Sequence, residues 1–250
     1  MSKLRRRLRN LGRSTNSGIG FSATRNAAPA RQVLVVADVT SGDSAAAVAA
    51  GADVLLVAPE HVAAAVAAAG DRPVGVRLDA ATAETVSAAV AAGADFFVFD
   101  DSRTAATALL PAPESDRRTE PGRILRLEAD PTDERLRSIT ALALDAMLVE
   151  GIDAAMTVRE QLALRRTAEL ASAPIMAVAA AAPTSDALQV WRDAGARLVL
   201  VPGDADTVRA TAAAAAQVPA PRRSRDDRDT PLIPAFAGHH HDDEDDEDAI

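Results

Sequence analysis

The chain contains no cysteine and no tyrosine, and it has one tryptophan and five phenylalanines among 250 residues. Without cysteine it can form no disulfide, thiolate nucleophile, iron–sulfur cluster or cysteine-ligated zinc site. The single lysine, Lys3, lies in a basic leader, which excludes a Schiff-base lysine inside a folded domain. Because aromatic residues are scarce, a core must be packed from alanine, valine and leucine, and the 48% hydrophobic content allows this.

The chain also lacks the signatures of several enzyme classes. It has no Gly-x-Ser-x-Gly elbow, no Walker A sequence and no Gly-x-Gly-x-x-Gly loop after a strand. Three of its four histidines are consecutive near the C-terminus, so His61 is the only one in the body of the chain. Its place after Glu60, where a helix begins, favours an exposed or capping residue over a general acid or base. No run of about 18 uncharged apolar residues predicts a membrane span.

Charge divides the chain into three parts. Residues 1–31 carry eight bases and no acid, residues 32–217 carry 15 bases and 26 acids, and residues 218–250 carry four bases and ten acids. An acidic body repels phosphate backbones, so broad nucleic-acid binding is not expected. We interpret the three parts as a basic leader and linker, a folded domain, and a disordered Pro-rich, acidic tail.

The leader predicts a short basic amphipathic helix. Leu4, Leu8 and Leu11 recur at helical spacing among arginines, and Gly12 would end the helix. Through residues 1–12 such a helix could lie on an anionic membrane surface or dock on a protein partner, and a disordered basic arm is the alternative. No apolar segment typical of a secretory signal follows. We therefore expect a cytoplasmic protein, with peripheral membrane contact as an option of the leader.

The tail beyond residue 217 is of low complexity. Residues 232–236 form a short apolar segment that could dock on the folded domain or on a partner. The three histidines, 239–241, are followed by seven consecutive acids, and such a cluster can bind divalent metals loosely. A solvated acidic tail is the favoured interpretation. Contact between oppositely charged leaders and tails of neighbouring chains would allow a homo-oligomer, weakened by physiological salt.

Between residues 32 and 217, short apolar runs alternate with Ala-rich stretches. The apolar runs are nearly continuous, as is typical of parallel strands covered on both faces, and alanine favours helices between them. The fourth helix, near 103–110, is short, and a Pro-rich loop follows it. The eight predicted strands are Gln32–Asp38, Asp53–Pro59, Pro73–Asp79, Asp95–Asp101, Arg123–Asp130, Asp145–Glu150, Pro174–Ala180 and Arg197–Val201. The other predicted helices include Ser44–Ala50, His61–Ala69, Ala83–Ala92, Asp133–Leu144, Val158–Ser172 and Ser185–Ala194.

A glycine just before a predicted strand recurs along this domain. Gly51, Gly93 and Gly195 each stand in an Ala-Gly-Ala triplet, and Asp53 and Asp95 follow the first two. We expect each glycine to end a helix in the left-handed conformation. The first two copies are 42 residues apart, which is the length of two βα units. Eight such units predict an α/β fold, a compact (β/α)8 TIM barrel, over a doubly wound open sheet.

This cadence of Ala-Gly-Ala-Asp, apolar strand, short loop and helix resembles the phosphate- and FMN-binding barrels, including the ribulose-phosphate-binding-like group. The resemblance implies a phosphorylated ligand held by glycine-rich loops after strands seven and eight. The chain departs from that pattern, because Ala179–Asp186 follows strand seven without a glycine and Pro202-Gly203-Asp204-Ala205-Asp206 follows strand eight. Asp204 and Asp206 would repel a phosphate and are more simply a helix N-cap and a first-turn acid.

Candidate chemistry lies where the strands end, because barrels hold their active sites at the C-terminal ends of the strands. Alternation places Arg77 with Asp79, and Arg126 with Glu128, on one face of strands three and five. The two arginines could bind an anionic substrate, and Asp79, Glu128 or Glu150 could transfer protons. The competing interpretation is that these groups neutralise one another or cap helices. The acids that could instead hold Mg²⁺ are Asp38, Asp79, Asp101, Glu128 and Glu150.

Two functions compete at this stage. The missing lysine, cysteine and phosphate-binding glycines slightly favour a catalytically degenerate barrel, a binding or scaffold protein whose basic arm associates with a membrane or a partner. The charged strand ends favour the alternative, a small-molecule lyase, isomerase or FMN-dependent oxidoreductase that acts on an anionic substrate at the barrel mouth. The sequence does not decide whether the protein binds FMN, Mg²⁺ or no cofactor.

Overall fold

The computed structural model describes residues 2–12, 31–40, 43–111, 120–128 and 130–221, and it shows a closed barrel of eight parallel strands. The predicted (β/α)8 fold is therefore confirmed, and the open doubly wound sheet is excluded. The described residues up to Ala220 belong to one compact unit, and of residues 221–250 only Pro221 is described. The predictions for the linker over 13–30 and for the tail beyond 221 lie outside the described residues.

Each strand pairs with the next in the chain, and the last pairs with the first, so the sheet has no free edge. The strands are rich in Val, Leu, Ile and Phe, and the observed bounds lie within two residues of the predicted starts and within four of the predicted ends. They are β1 Leu34–Asp38, β2 Val54–Val57, β3 Val74–Leu78, β4 Phe96–Phe99, β5 Gly122–Arg126, β6 Ala146–Val149, β7 Ile175–Val178 and β8 Ala196–Pro202.

Helices follow the strands and cover the outside of the barrel. One connection departs from the pattern: in its described part, the segment between β4 and β5 holds only a 3₁₀ turn, Ala106–Leu109, where the sequence predicts a short helix. The helix predicted over 133–144 is α-helical only in its first half and ends as a 3₁₀ turn, Ile139–Leu142. The α-helices are α1 Lys3–Asn10, α2 Ser44–Ala49, α3 Val62–Ala69, α4 Ala83–Ala91, α5 Asp133–Ser138, α6 Val158–Ala171, α7 Ser185–Asp193 and α8 Ala205–Gln217.

Two apolar cores follow from the alternation of side chains along the strands. Residues on the outer face, such as Val35, Leu55 and Phe97, pack against the helices. Residues on the inner face fill the lumen in layers, as expected of a barrel of this size. The lumen residues are Leu34, Val36, Val54, Leu56, Phe96, Val98, Ile124, Ala146, Leu148, Met176, Leu198 and Leu200.

The glycines before the even-numbered strands have the conformation that the sequence predicts. Gly51, Gly93 and Gly195 have φ angles of 106°, 99° and 104°, a region that residues with a Cβ atom rarely adopt. Each glycine closes a helix, and the next strand starts one to three residues later. The fourth position of the repeat has no glycine, and Ala143 adopts the left-handed conformation there, with φ of 51°.

The leader is a helix docked on the barrel. Helix α1 covers the N-terminal end of the strands, which we call the floor of the barrel, and Leu4 is fully buried among the lumen residues. Leu8 and Leu11 are partly buried against the same cluster. Within the leader, Lys3–Asn10 is helical. Its apolar face, which we expected to be offered to a membrane or a partner, contacts the barrel's own core instead.

Three aspartates at the starts of β2, β4 and β6 hold this segment. Asp95 accepts hydrogen bonds from the backbone N–H groups of Lys3 and Leu4, at 2.6 and 2.8 Å. Asp145 accepts a hydrogen bond from the Ser2 hydroxyl at 2.9 Å and forms an ion pair with Arg5. Asp53 forms an ion pair with Arg31, at the far end of the linker, and accepts a hydrogen bond from the backbone of β1. The acids of the repeated motif therefore bind the segment that carries the positive charge.

Candidate functional site at the barrel mouth

The C-terminal ends of the strands form a charged mouth above the apolar lumen. Side chains alternate between the lumen and the outer face along each strand, so every second residue at a strand end faces the lumen. The polar residues that face the lumen in this way are Asp38 of β1, Arg77 of β3, Asp100 just after β4, Arg126 of β5 and Glu150 just after β6. The predicted gathering of acidic and guanidinium groups at this end is what the structure shows. The mouth rests on apolar layers that exclude water from below.

The innermost polar contact joins Asp38 and Arg77. Arg77 Nη2 donates to Asp38 Oδ2 at 2.6 Å, and the two side chains are 31% and 24% exposed respectively. Asp38 Oδ1 and Arg77 Nε are both buried and have no hydrogen-bond partner among the described residues. Burial raises the pKa of Asp38 above its ordinary value of 3.8, and the nearby Arg77 only partly offsets this effect. A carboxyl group in this state is suited to exchange protons.

A second ion pair lies on the neighbouring side of the mouth. Arg126 Nη2 donates a hydrogen bond to Glu150 Oε2 at 3.1 Å, and Arg126 Nε lies 3.1 Å from Glu150 Oε1, across the adjacent strands β5 and β6. Both side chains are about half exposed, so the pair can open to a ligand at small cost.

Next to this pair is a cleft of about 420 Å³. Asp100 stands at its edge, where its Oδ1 accepts hydrogen bonds from the backbone N–H and the hydroxyl of Ser102, at 2.9 and 2.6 Å. These bonds lower the pKa of Asp100. A carboxylate ionised in this way keeps its place at the rim and contributes negative charge. The residues that line the cleft are Asp100, Asp101, Ser102, Arg126, Leu127, Glu128 and Glu150.

The predicted site residues fall into two groups. Arg77, Arg126 and Glu150 lie at the mouth, in ion pairs, and Glu128 borders the cleft with its carboxylate 3.5 Å from Arg135 Nε. Asp79 is exposed beyond the end of β3 and makes no hydrogen bond or ion pair among the described residues. Four of these five residues, all but Asp79, are therefore in ion pairs, as the competing interpretation of mutual neutralisation expects.

The magnesium alternative finds no support in the arrangement of the acids. Asp38 is paired with Arg77, and Asp101 forms an ion pair with Arg135 on the outer side of the mouth. Within the ranges that the structure describes, no three His, Asp or Glu side chains are grouped so that they could hold a metal ion. His61 is exposed at the start of α3, as its sequence position indicates.

The phosphate site implied by the family resemblance does not fit the residues present. At the N-terminus of α8, Asp204 is the N-cap and its carboxylate accepts a hydrogen bond from the N–H of Thr207 at 2.8 Å, which lowers the pKa of Asp204. A phosphate would meet this carboxylate instead of open amides. Gly203 is also in close contact, because a Cβ atom there would lie 2.5 Å from the carbonyl oxygen of Asp38. The N-terminus of α8 therefore offers no binding site for an FMN phosphate or a sugar phosphate.

Sequence reasoning ranked Asp38 below other acids. It appeared among the strand-end carboxylates and as a candidate metal ligand, yet not as a proton-transfer group. The signal that was available is its position: an acid directly after four apolar residues of a strand, Leu-Val-Val-Ala, lies closer to the lumen than acids in the loops. The pairing with Arg77 depends on the closure of the barrel and is not visible in the sequence.

Comparison with known proteins confirms the fold and goes no further. No known protein family and no curated protein matches the sequence. Among solved structures, KGPDC from Streptococcus mutans is similar with a TM-score of 0.60 at 12% identity, covering 75% of this chain and 99% of that one. The 3-keto-L-gulonate-6-phosphate decarboxylase from Vibrio cholerae gives 0.58 at 11% identity, with 74% and 97% covered. Dihydropteroate synthase from Xanthomonas albilineans gives 0.52 at 18%, with 74% and 91% covered.

These similarities confirm the eight-stranded α/β barrel fold. Identities of this size carry no information about substrate. In the described part of the chain, no helix has the length and apolar character needed to cross a membrane.

Proposed function

We propose that this protein is an enzyme that moves a proton on a small organic molecule bound at the barrel mouth, in the manner of a lyase or an isomerase. The observation that carries the proposal is the Asp38–Arg77 pair: a half-buried carboxyl group with a raised pKa, at the C-terminal end of β1, beside the guanidinium of Arg77. Similar barrels of known structure are enzymes, among them a decarboxylase and a synthase, and this favours the catalytic alternative.

In the proposed step the Asp38 carboxylate accepts a proton from a carbon next to a carbonyl group of the substrate. The electron pair of the broken C–H bond moves to the carbonyl oxygen, and Arg77 stabilises the negative charge that forms there. Asp38 then returns the proton to the same or to a neighbouring atom, so the step needs no oxidant or cofactor. A raised carboxyl pKa is useful for this because a general acid–base works best near the ambient pH.

Arg126 is the residue that we expect to bind an anionic group of the substrate. It is half exposed, borders the cleft and would exchange Glu150 for a carboxylate of the ligand. The rim also carries Asp100, Asp101 and Glu128, which disfavours a dianionic phosphate. A carboxylate-bearing, non-phosphorylated carbonyl compound is therefore the substrate class that fits best. Glu128 and Glu150 then shape the rim, and Asp79 has no part in the step.

The experiment is a proton-exchange assay. Keto acids, neutral sugars and sugar phosphates are first screened by thermal shift, and the stabilising compounds are incubated with the protein in D₂O. Deuterium entering at carbon is followed by NMR. We expect keto acids to stabilise the chain and Asp38→Asn to reduce exchange on the order of 100-fold or more. Arg126→Gln should weaken binding of the same compound without abolishing exchange at saturation.

The matched control is Asp71→Asn, which changes the same side chain at an exposed position between α3 and β3, at the opposite end of the barrel. It should behave as the unmodified protein. Exchange that survives Asp38→Asn would overturn the role of Asp38. If no compound of the three classes is bound, the binding or scaffold function becomes the better hypothesis, although its basic arm would then have to act with Leu4 buried in the barrel.

A further inference from the structure

The floor of the barrel has the features of a specific helix-binding site. It holds a pocket for one leucine side chain, since Leu4 is 0% exposed among lumen residues. It also holds a carboxylate, Asp95, that caps the first two N–H groups of the docked helix, and a second carboxylate, Asp145, that binds a serine and an arginine. Each contact is made to a short segment, residues 2–5, and together they fix its position and its direction.

The docked segment is joined to the barrel by a connection that begins and ends at one point. The N–H of Gly12 donates to the carbonyl oxygen of Arg31 at 3.1 Å, so the 18 residues between them leave and return at the same place. A chain of that length can extend to about 60 Å. It can therefore carry α1 to the floor of a neighbouring molecule.

We propose that the floor binds α1 in trans as well as in cis, so that two copies of this chain pair by exchanging their leaders. The occupant is a second copy of the same segment, because every contact of the docked helix can form identically between two molecules. Charge complementarity stabilises the docked helix in either arrangement: α1 has four arginines and a lysine and no acid, and the floor presents Asp53, Asp95 and Asp145. The tethered helix competes at an effective concentration in the millimolar range, so the exchanged pair grows with protein concentration.

The absence of cysteine from the chain makes a direct test possible. Ser2 Oγ lies 2.9 Å from Asp145 Oδ2, so cysteines at these two positions would face each other, and the doubly substituted chain described below tests whether they can be linked. One full-length variant carries Ser2→Cys and another carries Asp145→Cys. The two are mixed at high concentration, oxidised and run on a non-reducing gel. Exchange predicts a linked dimer of the two variants.

Two controls define the outcome. The chain that carries both cysteines should form the link within one molecule, which verifies that the variants fold and dock. A mixture of Ser2→Cys with Ser102→Cys, whose cysteine lies at the mouth, measures random collision. A mixed dimer at least tenfold above that background supports the proposal. A link that forms only within the doubly substituted chain overturns it, and so does failure to form even that link.

A second measurement uses the chain without substitution. Lys3 is its only lysine, and the backbone N–H of Lys3 is bonded to Asp95. Equal amounts of ¹⁴N- and ¹⁵N-labelled protein are joined with a reagent that couples amines to carboxylates. Exchange predicts that links between Lys3 and the floor acids include pairs of mixed isotope, and that their fraction falls on dilution. Links of a single isotope at every concentration would show that α1 never leaves its own barrel.

Discussion

Asp38 is a residue whose charge opposes the stability of the fold. Its carboxylate is partly removed from water, and one of its oxygens is buried without a partner in the described structure. The resulting rise in its pKa means that, just above pH 3.8, the folded state binds more protons at this site than the unfolded chain does. The contribution of Asp38 is therefore most favourable below that pH and is lost as the pH rises through the pKa of the folded protein.

Asp38→Asn should remove the loss of stability that ionisation of Asp38 causes as the pH rises. The amide has nearly the same shape and no charge to desolvate, so the free energy of unfolding of the variant, relative to that of the unmodified protein, should rise between about pH 4 and about pH 7. Urea unfolding across this pH range measures the difference. The control for a general Asp-to-Asn effect is Asp71→Asn. If the Asp38 variant loses stability as the pH rises, attraction by Arg77 outweighs burial and the assigned direction of the shift is wrong.

The packing inside the lumen depends on one large residue between two small ones. Phe96 of β4 lies in register with Gly75 of β3 on one side and with Gly122 of β5 on the other. A Cβ atom at Gly75 would lie 2.1 Å from the phenyl ring, and one at Gly122 would lie 2.8 Å from the Phe96 Cβ. The ring thus occupies the volume that Gly75 leaves, whereas the Cβ position of Gly122 is nearest to Asp145 Oδ2, at 2.5 Å.

Gly75→Ala should therefore destabilise the barrel by about 3 kcal/mol, at the upper end of the range for overpacked cores. Gly151→Ala is a useful comparison, because nothing lies within 4 Å of its Cβ position and only the φ of 73° opposes the change; its cost should be near 1 kcal/mol. Chemical unfolding gives both values. The double variant Gly75→Ala, Phe96→Leu should recover part of the loss, and no recovery would mean that the ring is not the obstacle.

At the scale of elements, the strands could be predicted because each is a short apolar run, and parallel strands buried on both faces need such runs. The structure of the segment between β4 and β5 was harder to predict, because Ala106–Leu109 has helix-forming residues but too few to complete a stable α-helix.

The docking of α1 could not be predicted from its own sequence. Leucines at helical spacing specify an apolar face, and they do not specify what covers it. The repeat contained a clue, because it places acids at the starts of β2, β4 and β6. The leader is the part of the chain with a net positive charge, so it is a natural partner for these acids. The glycine of the repeat was interpreted, and the aspartate beside it was not. Likewise the pairing of Arg77 with Asp38 joins β3 to β1 and depends on the tertiary fold.

Leu4 should be the residue of α1 that contributes most to stability. Its side chain is fully buried, so Leu4→Ala should cost 2–5 kcal/mol, in the range for core leucines. Leu162→Ala on α6 is the matched control, because that leucine is 60% exposed and its truncation should change stability by less than about 0.5 kcal/mol. Thermal or urea unfolding distinguishes them. Equal small effects would show that α1 rests on the floor without entering the lumen core.

For the whole molecule, the leader belongs to the folded unit even though its charge and composition set it apart. Residues 1–220 form one compact unit, and the buried guanidinium of Arg192 donates a hydrogen bond to the carbonyl oxygen of Pro219, just beyond α8. The boundary that charge alone suggests, at residue 31, separates α1 from the acids that bind it. At the other end of this unit, α8 ends at Gln217.

Two truncations test this division, and they should have opposite results. Deleting residues 2–12 uncovers the lumen layer around Leu34 and Leu198 and leaves Asp95 and Asp145 without their partners. We expect a lower melting temperature, a less cooperative transition and binding of a dye that reports exposed apolar surface, because a barrel open at its floor loses both burial and specific packing. Ending the chain after Pro221 keeps the Arg192 contact and should leave melting unchanged. A deletion of 2–12 that melts like the full chain would mean that the barrel closes without α1, and the helix would then be an accessory segment rather than part of the core.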